Sequence, residues 1–225
     1  MMHGGAPTGM TWASAGAGSW PGAALSFLVM WVAMTAAMML PSMAPTSWHH
    51  WRALARAGEA HPGSLIALAG LAYIVVWTAL GAIALPVGIA LAAAQARWPE
   101  LARAASIAAG VVVLIAGCVQ LTPWKARHLA MLRAPEGHPG RRARSDAGFA
   151  WRYGLRLGRD CGLSCAGLMA SLLVLGAMDV RAMAIATVVI TVERLAPAGE
   201  RVAQAIGLGA IAVGAALIAR GAGLG

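Results

Sequence analysis

SLIALAGLAYIVVWTALGAIALPVGIALAAA, residues 64–94, lies within a run from Glu59 to Arg97 that holds no charged side chain between its ends. About 20 mainly apolar residues, rising 1.5 Å each, suffice to cross the hydrocarbon core of a bilayer as a helix. This stretch exceeds that length, so tilt or a kink at Pro86 is expected. It sets the fold class: an all-α, polytopic helical bundle in a membrane, which the rest of the chain extends.

Working outward, the composition agrees. Of 225 residues 60% are hydrophobic and only 11% charged, whereas soluble domains carry roughly a quarter charged residues. On the N-terminal side the chain is uncharged from Met1 to Arg52, and a span over about 22–44 is expected, with Trp20 and Trp48 at the interfaces. Pro41 and Pro45 should bend or end it. Residues 1–21 lack Lys and Arg, so no cleavable leader is expected. Towards the C-terminus further spans are expected over about 103–119, 153–177, 182–195 and 201–218, six in all, forming one integral domain over 1–225. The fifth is the weakest, with eleven residues between Arg181 and Glu193. Small residues such as Ala205, Gly209 and Gly214 suit close helix packing.

Between the third and fourth spans lies a basic loop over 123–152. Residues 123–160 hold nine of the 17 Lys and Arg residues. Its first part, Trp124–Arg133, reads as a short amphipathic helix along the head groups, and 137–148 as an exposed loop. The net charge of +9 therefore points to lipid and topology rather than to nucleic acid. With six spans, 13 of the basic residues fall on one side and four on the other, so the basic loop is expected in the cytoplasm and both termini on the periplasmic side of a bacterial inner membrane.

That topology gathers the sulfur. Met30, Met34 and Met38 step by four, as do Met39 and Met43, and as do Cys161, Cys165 and Met169; each set lies along one helix face. Thiolates and thioethers select soft ions, Cu(I) first and Zn(II) second. Cys161 and Cys165 are the first candidate ligands, because three cysteines including Cys118 cannot all pair and four residues along a helix is a poor disulfide geometry. Met34, Met38, Met169 and Cys118 are secondary candidates, with Glu193 as an outer partner or proton acceptor. The alternative for each methionine is packing, since Met fills irregular apolar gaps; for Glu193 it is an interfacial pair with Arg194. His49 and His50 read as interfacial residues. No hydrolase triad, phosphate loop, dinucleotide fingerprint or zinc-protease motif occurs, so nothing supports an enzyme.

The stretches Trp31–Pro45 (WVAMTAAMMLPSMAP), Gln120–Lys125 (QLTPWK), Cys161–Met169 (CGLSCAGLM), Gly176–Met183 (GAMDVRAM) and Val192–Pro197 (VERLAP) resemble a bacterial family of integral membrane proteins of unknown function, described as metal-binding. The resemblance covers about 25–220 and implies an inner-membrane helical protein with a metal site, without fixing an activity. The chain departs from the family in its thiols: Ser164 stands where a middle cysteine is expected, Asp160 in place of a histidine, and His128 where a cysteine can occur. A reduced thiol set argues against a thiolate zinc site and for Cu(I) held by Cys and Met, or for a lost site. Three functions stay open: binding, with transport or delivery, of a soft metal; a structural or accessory subunit of a membrane complex; and small-solute transport. The partners expected are the bilayer, a metal ion, and a second copy or a membrane-complex protein.

Overall fold

A computed structural model describes residues 20–133, 146–176 and 180–223. Among them are seven helices and no strand: α1 Trp20–Arg56, α2 Pro62–Arg97, α3 Pro99–Gln120, α4 Pro123–Arg133, α5 Ala147–Gly176, α6 Val180–Leu195 and α7 Gly199–Gly221. The expected loop over 137–148 lies mostly outside the described residues, as do residues 177–179.

Four helices, α1, α2, α5 and α7, are each long and apolar enough to cross a membrane, and α3 with α4 makes a fifth if that pair, bent by 68°, counts as one span. The six-span expectation is thus met only in part. Helix α6 has 16 residues, about 24 Å at 1.5 Å per residue, short of a hydrocarbon core of about 30 Å.

Helix α1 corrects a second expectation. It runs through Pro41 and Pro45 to Arg56 rather than ending near 44. Each proline removes one donor, and an α-helix in a protein-packed setting tolerates this when neighbours satisfy the local backbone. The added turns carry an aromatic and cationic cluster: Trp48 stacks on Trp51 at 5.2 Å, and the Arg52 guanidinium sits 5.1 Å over the Trp48 ring. Such groups suit the water interface.

Small residues decide which helices touch. A Cβ at Gly154 of α5 would fall 2.1 Å from the Ala69 carbonyl oxygen of α2, and one at Gly158 would fall 2.9 Å from Val76 Cβ, so α2 and α5 meet almost backbone to backbone. In α3 and α7, Gly110 faces Gly214 and Gly117 faces Gly207, seven residues apart on each helix, while Gly221, seven further on, meets Ser106 and Ile107; a Cβ at Gly117 would lie 2.7 Å from the Gly207 oxygen. A seven-residue step keeps one helix face, so the two helices run together over about four turns. Gly209, expected to pack, meets nothing within 4 Å.

The outward faces carry Leu25, Leu40, Leu71, Ile83, Val87 and Leu208, all exposed. The interior is assembled from α1, α2, α5 and α6, with Leu132 of α4 at its side, and contains sulfur, indole and phenol groups. Trp31 anchors it: its indole N–H donates to the Trp77 carbonyl at 2.9 Å, over Gly81, where a Cβ would come within 2.5 Å of the ring.

Helix α4 differs from the expected head-group helix. Its inner face, Lys125, Leu129 and Leu132, is buried in protein, because Lys125 has partners there.

Candidate metal centre

On α5 the four-residue step delivers Cys161, Cys165 and Met169 to one buried face. On α1 the methionines divide: Met38, Met39 and Met43 are buried in the same cluster, Met34 packs at its margin, and Met30 is exposed. Met39 comes nearest to the thiols, its Sδ 3.8 Å from Cys161 Sγ. A helix turns about 100° per residue, so Met34 and Met39 cannot share a bearing; the i, i+4 pair Met39 and Met43 was the sequence signal.

Cys161 Sγ has two further neighbours. The Tyr73 hydroxyl of α2 lies 3.0 Å away, and Arg194 of α6 donates from Nη2 at 2.8 Å. Cys165 donates its S–H to the Cys161 carbonyl at 2.9 Å, which keeps the two thiols on adjacent turns. Arg194 also donates from Nη1 to Ser42 Oγ at 2.9 Å, and Ser42 Oγ donates to the Met39 carbonyl at 2.9 Å. One guanidinium therefore ties the thiol helix to the methionine helix.

Glu193, the residue before Arg194, points to a different set of partners. Its Oε2 accepts from Lys125 Nζ at 2.8 Å, its Oε1 accepts from Gln120 Nε2, and Lys125 also donates to the Ser164 carbonyl. Both charged groups are about 2–3% exposed. Such a buried pair holds only when its hydrogen bonds are complete; here it joins α3, α4, α5 and α6. A cleft of about 160 Å³ lined by Gln120, Lys125, Glu200 and Gln204 borders it. Asp160, the residue before Cys161, pairs with Arg159 at 3.0 Å and approaches His128 Nδ1 at 3.5 Å.

Of the residues named from sequence, the structure brings Cys161, Cys165, Met38 and Met169 together, sets Met34 at the edge and Glu193 next door, and leaves Cys118 exposed on α3. Tyr73, Lys125, Arg194 and Ser42 were not foreseen as part of this centre. Lys125 and Arg194 were within reach, since QLTPWK and VERLAP each end or pivot on them. No group of three or more His, Cys, Asp or Glu residues that could hold a metal occurs among the described residues. The donors that do converge are two thiols and several thioethers, a set suited to a low-coordinate soft ion and poor in the nitrogen and oxygen ligands of ordinary zinc sites.

Residues 28–217 match the PpoB2 family model, described as a copper chaperone. The chain belongs to that family. The match spans the thiol, methionine and ion-pair positions alike. No curated protein and no solved structure matches the chain significantly.

Proposed function

We propose that the protein is a membrane-embedded copper chaperone that takes Cu(I) at Cys161 and Cys165, with Met39 as the nearest thioether, and passes it to an acceptor protein. The observation that carries this reading is the 3.8 Å approach of Met39 Sδ to Cys161 Sγ inside a buried sulfur cluster. Membership of the copper-chaperone family supports the choice of ion. Thioether ligands bind Cu(I) without adding charge, and a site with few ligands releases its ion by exchange with incoming thiolates. Glu193 serves the scaffold through Lys125 and Gln120, and Cys118 has no part in the site. We place the protein in the bacterial inner membrane with its termini outside, on the bias of the basic loops.

The test is metal content by mass spectrometry of the detergent-purified full chain, loaded anaerobically with Cu(I), for wild type and for a Cys161→Ser/Cys165→Ser variant of unchanged helicity. About one equivalent in wild type and none in the variant is expected. Equal retention by both would remove the thiols from the site, and absence from both would make the methionines packing residues.

A further inference from the structure

We propose that the sulfur cluster holds a second Cu(I) position, formed by the thioethers of Met34, Met169 and Met183 and set about two helical turns from the thiol pair. The inference rests on the copper reading above and adds a weaker site to it.

Helix directions bring these three residues to nearby levels. Helices α2 and α5 run parallel, since Gly154 lies against Ala69 and Gly158 against Val76. Helix α1 runs against both: Trp31 bonds the Trp77 carbonyl, whereas Met39, further along α1, meets Cys161, which in turn meets Tyr73, further back on α2. Residues 177–179 alone separate α5 from α6, a link too short to carry the chain far, and the other end of α6 returns Arg194 to Cys161; α6 therefore runs back along α5, in the direction of α1. Counting from the level of Cys161 and Met39 at 1.5 Å per residue, Met34 stands about 8 Å away and Met169 about 12 Å, in the same direction. Met183 precedes Arg194 by as many residues as Trp31 precedes Ser42, which Arg194 bonds, and so lies within a turn of Met34 in height. All three belong to one cluster: Met169 is buried in it, and Met34 and Met183 pack against it.

Methionine also fills any irregular apolar gap, so the sulfurs alone do not make a site. The polar atoms among them do not suit a purely apolar core. Thr35, 0% exposed, follows Met34 on α1, and Trp77, 2% exposed, lies one turn beyond Tyr73 on α2. Neither the Thr35 hydroxyl nor the Trp77 indole N–H has a hydrogen-bond partner among the described residues. Buried polar groups without a partner are costly and uncommon. An ion between the thiols and the methionines, with the water it carries, gives both groups a partner. Thioethers are neutral ligands that select Cu(I), and without a thiolate's charge they hold it less tightly than Cys161 and Cys165 do.

The experiment titrates the purified full chain with Cu(I) in a chromophoric chelator buffer, at equilibrium with free ion, so that a weak equivalent lost on purification is counted. Wild type should bind two equivalents, the second at least tenfold weaker than the first. Met34→Leu/Met169→Leu/Met183→Leu, which conserves volume, should lose the second and leave the first unchanged, and Cys161→Ser/Cys165→Ser should lose the first and keep the second. A wild type that stops at one equivalent, lost with the thiols, or a triple variant that still binds two, overturns the proposal while the thiol site stands. If the triple variant does not fold, Met183→Leu alone decides, since that side chain is only partly buried: a second equivalent weakened at least fivefold supports the proposal, and an unchanged one refutes it. A tight equivalent that survives loss of both thiols defeats the copper reading instead, and a wild type that binds no Cu(I) defeats both.

Discussion

The α3/α7 contact and the cluster among α1, α2, α5 and α6 are two answers to the problem of joining apolar helices. The first uses glycine: backbone oxygens of Gly110, Gly117, Gly207 and Gly214 approach so closely that a methyl group would collide. The second buries Cys161, Cys165, Met39, Tyr73 and Arg194, with the Lys125–Glu193 pair beside it. Glycine contacts gain dispersion and desolvate nothing, whereas a buried ion pair often contributes no more than the apolar residues that could replace it. The chain joins α3 and α7 without charge, so joining helices does not by itself require the sulfur-bearing cluster, which fits the binding role proposed for it.

This contrast can be broken at several points. The largest effect is expected at the ion pair. Lys125→Met leaves Glu193 buried without its cation and should cost about 3–5 kcal/mol, read from unfolding in mixed detergent. A Lys125→Met/Glu193→Leu variant should recover most of that loss; failure to recover would mean that the pair contributes more than mutual neutralisation. Next comes the glycine seam. Gly117→Val should destabilise by about 1–3 kcal/mol through overpacking yet leave copper stoichiometry intact in the folded fraction. Lost copper binding there would show that the two regions are coupled.

Met39→Leu sharpens the comparison from the other side. The swap keeps volume, so stability should change by less than about 1.5 kcal/mol, while Cu(I) affinity falls about tenfold, equivalent to about 1.4 kcal/mol. An unaltered affinity, measured by chelator competition, would leave Met39 as filler. The smallest effect is reserved for Cys118→Ala, where stability and copper binding should both stay within about 0.5 kcal/mol of wild type, as is usual away from packed or bonded features. A Cys118→Ala protein that fails to hold copper would place a ligand on the wrong helix.

Much of this was legible in the sequence. The uncharged run from Glu59 to Arg97 announced a helix long and apolar enough to span a membrane, and the four-residue step of Cys161, Cys165 and Met169 placed them on one face, where they lie. Helix existence follows from local hydrophobicity and period, which a sequence displays directly. What did not show was anything fixed by long-range packing. Whether Met34 or Met39 faces Cys161 depends on the rotation of α1, set by Trp31 fitting over Gly81. Pro41 and Pro45 suggested an end to α1 because local rules treat proline as a breaker; the packed surroundings of Met39, Ser42 and Met43 carry the helix onward. Arg194 read as an interfacial neighbour of Glu193, because adjacent residues in a helix look alike on paper although they project about 100° apart. Here one goes to a thiol and the other to a lysine.

The most direct test of the central claim is a copper K-edge X-ray absorption spectrum of the Cu(I)-loaded full chain, recorded for wild type and for Met39→Leu. A sulfur-only shell in wild type, with one fewer sulfur neighbour in Met39→Leu, is the result expected of a centre built from Cys161, Cys165 and Met39. A shell of nitrogen or oxygen neighbours, identical in the two proteins, would contradict it and send the search for the copper ligands outside this cluster.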